Sequence, residues 1–138
     1  MEAGRLKARR SRHSLHGHRV ELRPDGAAGG FAIVRLPGRE RIGEVRYRTE
    51  EGCLSFQRME VGPEMRGLGY GSEAVRLVEA DAAQRGLAGR FRADISAGDG
   101  LALYFWLRLG YRPAAAWRRD AEQGTISMIR TAAAVGQR

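Results

Sequence analysis

The chain has 138 residues, a formal net charge of +8 at neutral pH, one cysteine and three histidines. That length is enough for one domain with its own core, and the single cysteine, Cys53, excludes an intramolecular disulfide and any multi-cysteine zinc site. No apolar run reaches membrane-spanning length and none follows the basic N-terminus, so neither a membrane span nor a secretory signal is read, and cytoplasm is the expected compartment.

The charge is unevenly placed. Residues 1–19 hold six of the 24 basic side chains and one of the 16 acidic ones, a balance of +5; residues 20–138 hold the other 18 and 15, a balance of +3. Residues 1–17 are therefore read as a basic flexible tail and residues 18–138 as the folded domain. Arg5, Lys7, Arg9, Arg10, Arg12, His13, His16, His18 and Arg19 read first as a solvated chain end. Electrostatic docking to nucleic acid or an acidic partner is the second reading. The three histidines lack carboxylate support, so no metal is expected.

Along the chain, residues 18–23 alternate as a first strand, and Pro24-Asp25-Gly26-Ala27-Ala28-Gly29-Gly30 is a turn-rich break. Residues 31–36 and 41–48 read as two strands joined at Pro37-Gly38-Arg39-Glu40. Glu50-Glu51-Gly52 then turns into a fourth strand, Cys53–Val61. A glycine loop over residues 66–71 opens a helix running to about Arg85 and closed by Gly86. Residues 90–95 read as a fifth strand. Residues 99–109 read as a second helix, with Asp99 as N-cap and Gly110 as the left-handed stop. Residues 111–117 and 125–130 read as a closing hairpin. The apolar positions Leu77, Val78, Leu101, Leu103, Phe105, Leu107 and Leu109 are assigned to the core by helical spacing. Tyr111 and Trp117 are expected to pack on the sheet, Tyr104 in the helix packing, and Cys53 as a small core residue.

The most informative stretch is Val61-Gly62-Pro63-Glu64-Met65-Arg66-Gly67-Leu68-Gly69-Tyr70-Gly71-Ser72. A glycine-rich turn that opens a helix directs unpaired N–H groups and the positive end of the helix dipole at one point, which suits phosphate. Arg66 adds a planar cation at its rim. A Walker loop is excluded, because Gly71 is followed by Ser72-Glu73 and the only lysine is Lys7. A dinucleotide fingerprint is weakened, because its third glycine falls on Ser72. Asp94 lies near the distance of a ribose-binding acid, so NAD binding stays as the last alternative.

What fits is Arg66-x-x-Gly69-x-Gly71 behind Val61-x-Pro63, which resembles the acyl-CoA pyrophosphate loop of the GNAT N-acetyltransferase superfamily. The block Asp99-Gly100-Leu101-Ala102-Leu103-Tyr104-Phe105-Trp106-Leu107-Arg108-Leu109-Gly110-Tyr111 resembles the second motif of that family. The resemblance covers residues 41–130 well and the first forty poorly. It implies an α+β (α/β) GNAT acyl-CoA N-acyltransferase fold: a mixed, mostly antiparallel central sheet with flanking helices. The usual first-helix region is shortened, since about seven residues separate Arg23 from Phe31. An open acceptor side would follow, or a homodimer in which a second subunit completes the pocket.

The resemblance also implies acetyl-CoA as cosubstrate, without metal, and an amine acceptor. The pyrophosphate would take N–H bonds from Arg66, Gly67, Leu68, Gly69, Tyr70, Gly71 and Ser72, and the pantetheine arm would pair with the strand edge at Met59 and Val61. That strand would splay from the one ending near Asp94. Asp99 stands where the family usually has the asparagine that bonds the pantetheine arm. Trp106 stands where many relatives have the tyrosine that protonates the thiolate, and an indole N–H donates a hydrogen bond but is no general acid. An alkylammonium with pKa near ~10.4 must lose a proton before it attacks. Asp94 is the first candidate base and Glu60 the second, while Ser55 occupies the position where some relatives carry a carboxylate. The alternative function is a non-catalytic acyl-CoA-binding module acting as sensor or regulator.

Overall fold

A computed structural model describes residues 13–26 and 29–132. The basic segment over residues 1–12, and with it most of the predicted tail, lies outside the described residues. Among the described residues, eight strands form a mixed sheet in the order β1-β2-β3-β4-β5-β6-β8-β7, accompanied by three α-helices. The strands are β1 (Leu15–His16), β2 (Val20–Pro24), β3 (Gly30–Arg35), β4 (Glu40–Glu50), β5 (Cys53–Val61), β6 (Arg90–Ser96), β7 (Arg112–Pro113) and β8 (Thr125–Thr131). The helices are α1 (Tyr70–Gln84), α2 (Gly100–Arg108) and α3 (Trp117–Glu122). Two compact units divide the chain: Met1–Arg46 with Arg58–Val78, and Tyr47–Gln57 with Glu79–Arg138.

In the first unit β1, β2, β3 and β4 pair antiparallel in succession, with a register shift between Ile33 and Val34. The two-residue strand β1 extends the pairing ahead of the first strand read from the sequence; Leu15 is buried opposite Leu22. β3 is buried at every position from Gly30 to Val34, as expected of a strand covered on both faces rather than one. Val20, Leu22, Phe31, Ile33 and Val45 form its core with Ala74, Val75 and Val78, which recur at helical spacing on α1. β2 runs to β3 as a hairpin. In sequence only residues 25–29 separate Pro24 from Gly30, and residues 27 and 28 lie outside the described residues.

The second unit is built on β6, whose burial alternates strictly: Phe91, Ala93 and Ile95 point inward, while Arg90, Arg92, Asp94 and Ser96 are exposed. β6 pairs antiparallel with β8 along its whole length, from Arg90↔Thr131 to Ser96↔Thr125. It pairs parallel with β5 only from Cys53↔Arg90 to Phe56↔Ala93, so Gln57–Val61 of β5 and residues 94–96 of β6 lie outside that ladder. Glu51 and Gly52, with φ of 51° and 78°, make the tight two-residue turn that feeds β5.

The core of this unit gathers Leu54, Phe56, Phe91, Trp106, Leu109, Tyr111 and Met128. Within it, Glu79 is only 3% exposed and accepts from Tyr111 Oη at 2.5 Å and from Arg130 Nη2 at 2.9 Å. The fork of Arg130 also reaches the second carboxylate oxygen through Nε at 3.3 Å. A buried carboxylate persists because both oxygens are met by charged or hydroxyl donors.

The structure departs from three expectations. The closing hairpin exists, but β7 is two residues long, and α3 occupies part of the connection before Gly124 (φ 97°) turns the chain into β8. Trp117 therefore begins a helix and is 38% exposed, with Arg118 stacked over its ring, instead of packing on the sheet. Leu101 is 84% exposed and Tyr104 is exposed, so the buried stripe of α2 is narrower than its composition suggests and centres on Trp106.

Candidate functional site

The loop between β5 and α1 is shaped by its glycines. β5 ends at Val61, and Gly62 N–H bonds the Ile42 carbonyl at 2.8 Å, tying the strand end to β4. Residues Pro63–Met65 make one 3-10 turn, after which Arg66 is extended and its Nε donates to the Val61 carbonyl at 3.0 Å. Gly67 and Gly69 follow with φ of 76° and 90°, a region costly for residues with a Cβ. They turn the chain so that α1 starts at Tyr70. The first bond closing that helix runs from Glu73 N–H to the Gly69 carbonyl at 3.1 Å. Among the described residues, the amides of Gly67, Leu68, Gly69, Tyr70, Gly71 and Ser72 donate to no backbone carbonyl. A run of unpaired amides at a helix mouth, with positive-φ glycines that bare the backbone, fits an anion carrying several oxygens.

Beside this loop a surface cleft of about 450 Å³ is lined by Ile42, Gly43, Glu60, Val61, Pro63 and Arg66, among others. Gly43 is required there by close approach: a Cβ on it would collide with the Glu60 carbonyl of the neighbouring strand. Two sequence-derived candidates, Glu60 and Val61, are thus brought together with Arg66. The Glu60 carboxylate accepts from Arg58 Nη2 at 3.0 Å, and Arg58 Nε also reaches Glu44 at 2.5 Å. Met59 is half-buried on the same strand.

One side chain that touches the loop was missed by sequence reasoning. Arg19, grouped with the basic tail, lies across the loop. Its Nη1 donates to the Leu68 carbonyl at 2.8 Å, its guanidinium stacks over the Tyr70 ring at 5.0 Å, and its Nε sits 3.4 Å from Glu73. Glu73 in turn accepts from the Arg19 amide at 2.8 Å and from the Val20 amide at 3.3 Å. Burial opposes ionisation of Glu73, but the amides of Arg19, Val20 and His18 and the Arg19 cation hold its carboxyl below the ordinary value. No local sequence signal marks this contact; only the strand order brings residue 19 to residue 68.

The remaining candidates lie in the second unit. Asp94 is exposed on β6, and its carboxylate is fully engaged: Arg92 donates through Nε at 3.0 Å and Nη2 at 3.2 Å, and Ser127 Oγ donates at 2.7 Å. Burial works against the charged form, yet the Arg92 and Ser127 bonds hold its carboxyl below the ordinary range. Asp99 caps α2, its Oδ1 accepting from Ala102 N–H at 3.0 Å. Trp106, expected near the cofactor, is 5% exposed and packed against Phe56, Phe105 and Tyr111 with ring centroids 4.8–5.3 Å apart. It is a core residue, because an indole at that helix position faces the sheet.

A mixed sheet with an antiparallel front half, a glycine loop opening α1 and a second helix capped by Asp99 make up a fold of the GNAT type. The sequence matches the Acetyltransferase (GNAT) family over residues 5–111, and the chain belongs to that family. A GNAT-family acetyltransferase from Bacillus anthracis superposes with a TM-score of 0.70 at 11% identity, covering 86% of this chain and 98% of that one. A GNAT-family acetyltransferase from Elizabethkingia anophelis, solved with acetyl-CoA bound, gives a TM-score of 0.60 at 13% identity, covering 75% of this chain and 77% of that one. An acetyltransferase from Thermus thermophilus gives 0.60 at 19% identity, covering 74% and 62%. No curated protein matches the sequence. Among the described residues, no helix is long and apolar enough to cross a membrane.

Proposed function

We propose that the chain transfers an acetyl group from acetyl-CoA to a primary amine within a ternary complex. The observation that carries this reading is the run of unpaired amides from Gly67 to Ser72 at the mouth of α1. Those amides, with Arg66, would hold the diphosphate, and the edge of β5 at Met59 and Val61, beyond the end of its ladder with β6, would offer main-chain groups to the pantetheine amides. Asp99 serves as the N-cap of α2, where family relatives usually present an asparagine.

Acetyl-CoA supplies a thioester whose carbonyl carbon an unprotonated amine attacks, forming the C–N bond as the C–S bond breaks. The chain's task is to position the amine and relieve it of its proton. Of the two carboxylates, Glu60 comes first, because it lines the same cleft as Val61 and Arg66. Asp94 is a poor proton acceptor, since Arg92 and Ser127 already stabilise its charged form. The departing thiolate takes its proton from solvent, as Trp106 is buried and no acid.

Release of free thiol from acetyl-CoA across a panel of amines, with calorimetric CoA binding in parallel, tests the proposal. Saturable CoA binding with turnover of at least one amine is expected. Absence of CoA binding would end it. A second reading, an acyl-CoA-binding module without turnover, is favoured by the engaged Asp94 and the buried Trp106; tight CoA binding with no thiol release across the panel would select it. Expected for the variants is a fall in kcat of about 100-fold in Glu60→Gln with CoA affinity retained, and a smaller fall in Asp94→Asn. Unchanged kcat in Glu60→Gln would remove it from proton transfer.

A further inference from the structure

We propose that Arg19 is a second phosphate-binding cation of the loop, gripping the coenzyme diphosphate beside the amide row; this rests on the acyl-CoA reading above. Three observations carry it. First, the guanidinium is held in place by three separate contacts, with the Leu68 carbonyl, the Glu73 carboxylate and the Tyr70 ring. Glu73 also fixes the Arg19 backbone, so both ends of the side chain are anchored to α1. Second, that anchoring uses Nη1 and Nε, while Nη2 donates no hydrogen bond among the described residues. Third, Nη2 lies 2.5 Å from the point a Cβ on Gly69 would occupy, beside the glycine whose own amide is unpaired.

A planar cation with a free N–H pair beside free amides is the donor set that phosphate oxygens select. Arg66 is committed differently: its Nε is tied back to Val61, and it belongs to the rim of the cleft. The two guanidiniums therefore flank the loop from different elements, one from the strand end and one from the N-terminal segment.

The test is calorimetry of full-length wild type, Arg19→Gln and Arg19→Lys with CoA and with dephospho-CoA over a range of salt, each variant's fold checked by circular dichroism. Arg19→Gln is expected to weaken CoA roughly tenfold, the scale of one charge-assisted contact. It should also flatten the salt dependence of binding, and lose the same factor for dephospho-CoA, which keeps the diphosphate. Arg19→Lys should recover the salt dependence but only part of the affinity, because it keeps the charge and loses the fork.

Wild type that binds CoA, with Arg19→Gln binding equally well, would overturn the role of Arg19 while leaving the acyl-CoA reading intact. A loss in Arg19→Gln with unchanged salt dependence would also overturn it, reducing Arg19 to a brace. So would a loss confined to CoA, which would put the cation on the ribose phosphate. Failure of wild type itself to bind CoA would instead remove the reading on which the proposal rests.

Discussion

Gly69 and Gly67 form a matched pair for a single decisive perturbation. Both have positive φ, 90° and 76°, so alanine at either position carries a backbone penalty of about 1–2 kcal/mol. They differ in surroundings: a Cβ on Gly67 meets nothing within 4 Å, whereas one on Gly69 meets Arg19 Nη2 at 2.5 Å. Gly69→Ala must therefore also displace the guanidinium, forfeiting its bond to Leu68 and its contact with Glu73. Arg19 is half exposed, so that loss is discounted to about 1 kcal/mol. Urea denaturation should give Gly67→Ala a loss of about 1–2 kcal/mol and Gly69→Ala about 2–3 kcal/mol. Arg19→Gln alone should cost about 1 kcal/mol, and the Arg19→Gln/Gly69→Ala double variant no more than Gly69→Ala alone. The sign of the coupling is the point, since the contact can be lost only once. Additive losses within about 0.4 kcal/mol would refute the reasoning, as would equal losses for the two glycines.

Further outcomes follow from other parts of the molecule. Tyr111→Phe removes a hydrogen bond to the buried Glu79 carboxylate and should cost about 2 kcal/mol, lowering the thermal midpoint by about 6 °C; a change under about 0.5 kcal/mol would contradict the network. Gly43→Ala should push the Glu60–Val61 strand end outward, weakening CoA binding with a stability loss of about 1–3 kcal/mol; wild-type binding by calorimetry would count against that close approach. Glu73 and Asp94 are held below their ordinary values of 4.5 and 3.8, so their contribution is complete above those values and is lost as pH falls through the depressed ones. Urea midpoints should accordingly drop between about pH 5 and pH 3, and Glu73→Gln should flatten that decline.

Much of this arrangement was legible in the residues because its causes are local. The strict alternation of β6, the Asp99 cap of α2 and the left-handed Gly110 each follow from neighbours within a turn or a strand. So does the glycine loop, where unpaired amides stand as the spacing of Gly67, Gly69 and Gly71 implied. What was not legible depends on distant partners. Arg19 reads as one more tail arginine until the sheet carries it to a loop 49 residues away. The need for glycine at position 43 appears only when β5 approaches it. Leu101 carries a core residue's chemistry yet faces outward, because the helix turns Trp106 inward instead. The short α3 was hidden by flanking strand signals: Arg118, Arg119, Ala121 and Glu122 favour helix, but six residues give weak periodicity.

The double grip of Glu73 on the backbone and the guanidinium of Arg19 has a practical corollary for anyone trimming this protein. The natural cut for asking whether the basic leader touches nucleic acid would fall after residue 19, and that cut would strip the helix start of its anchor and the sheet of β1 in the same stroke. Loss of CoA affinity in such a truncation would report damage to the loop, not a task of the leader. A deletion ending at residue 12 keeps Leu15, Arg19 and Val20 in place and separates the two questions.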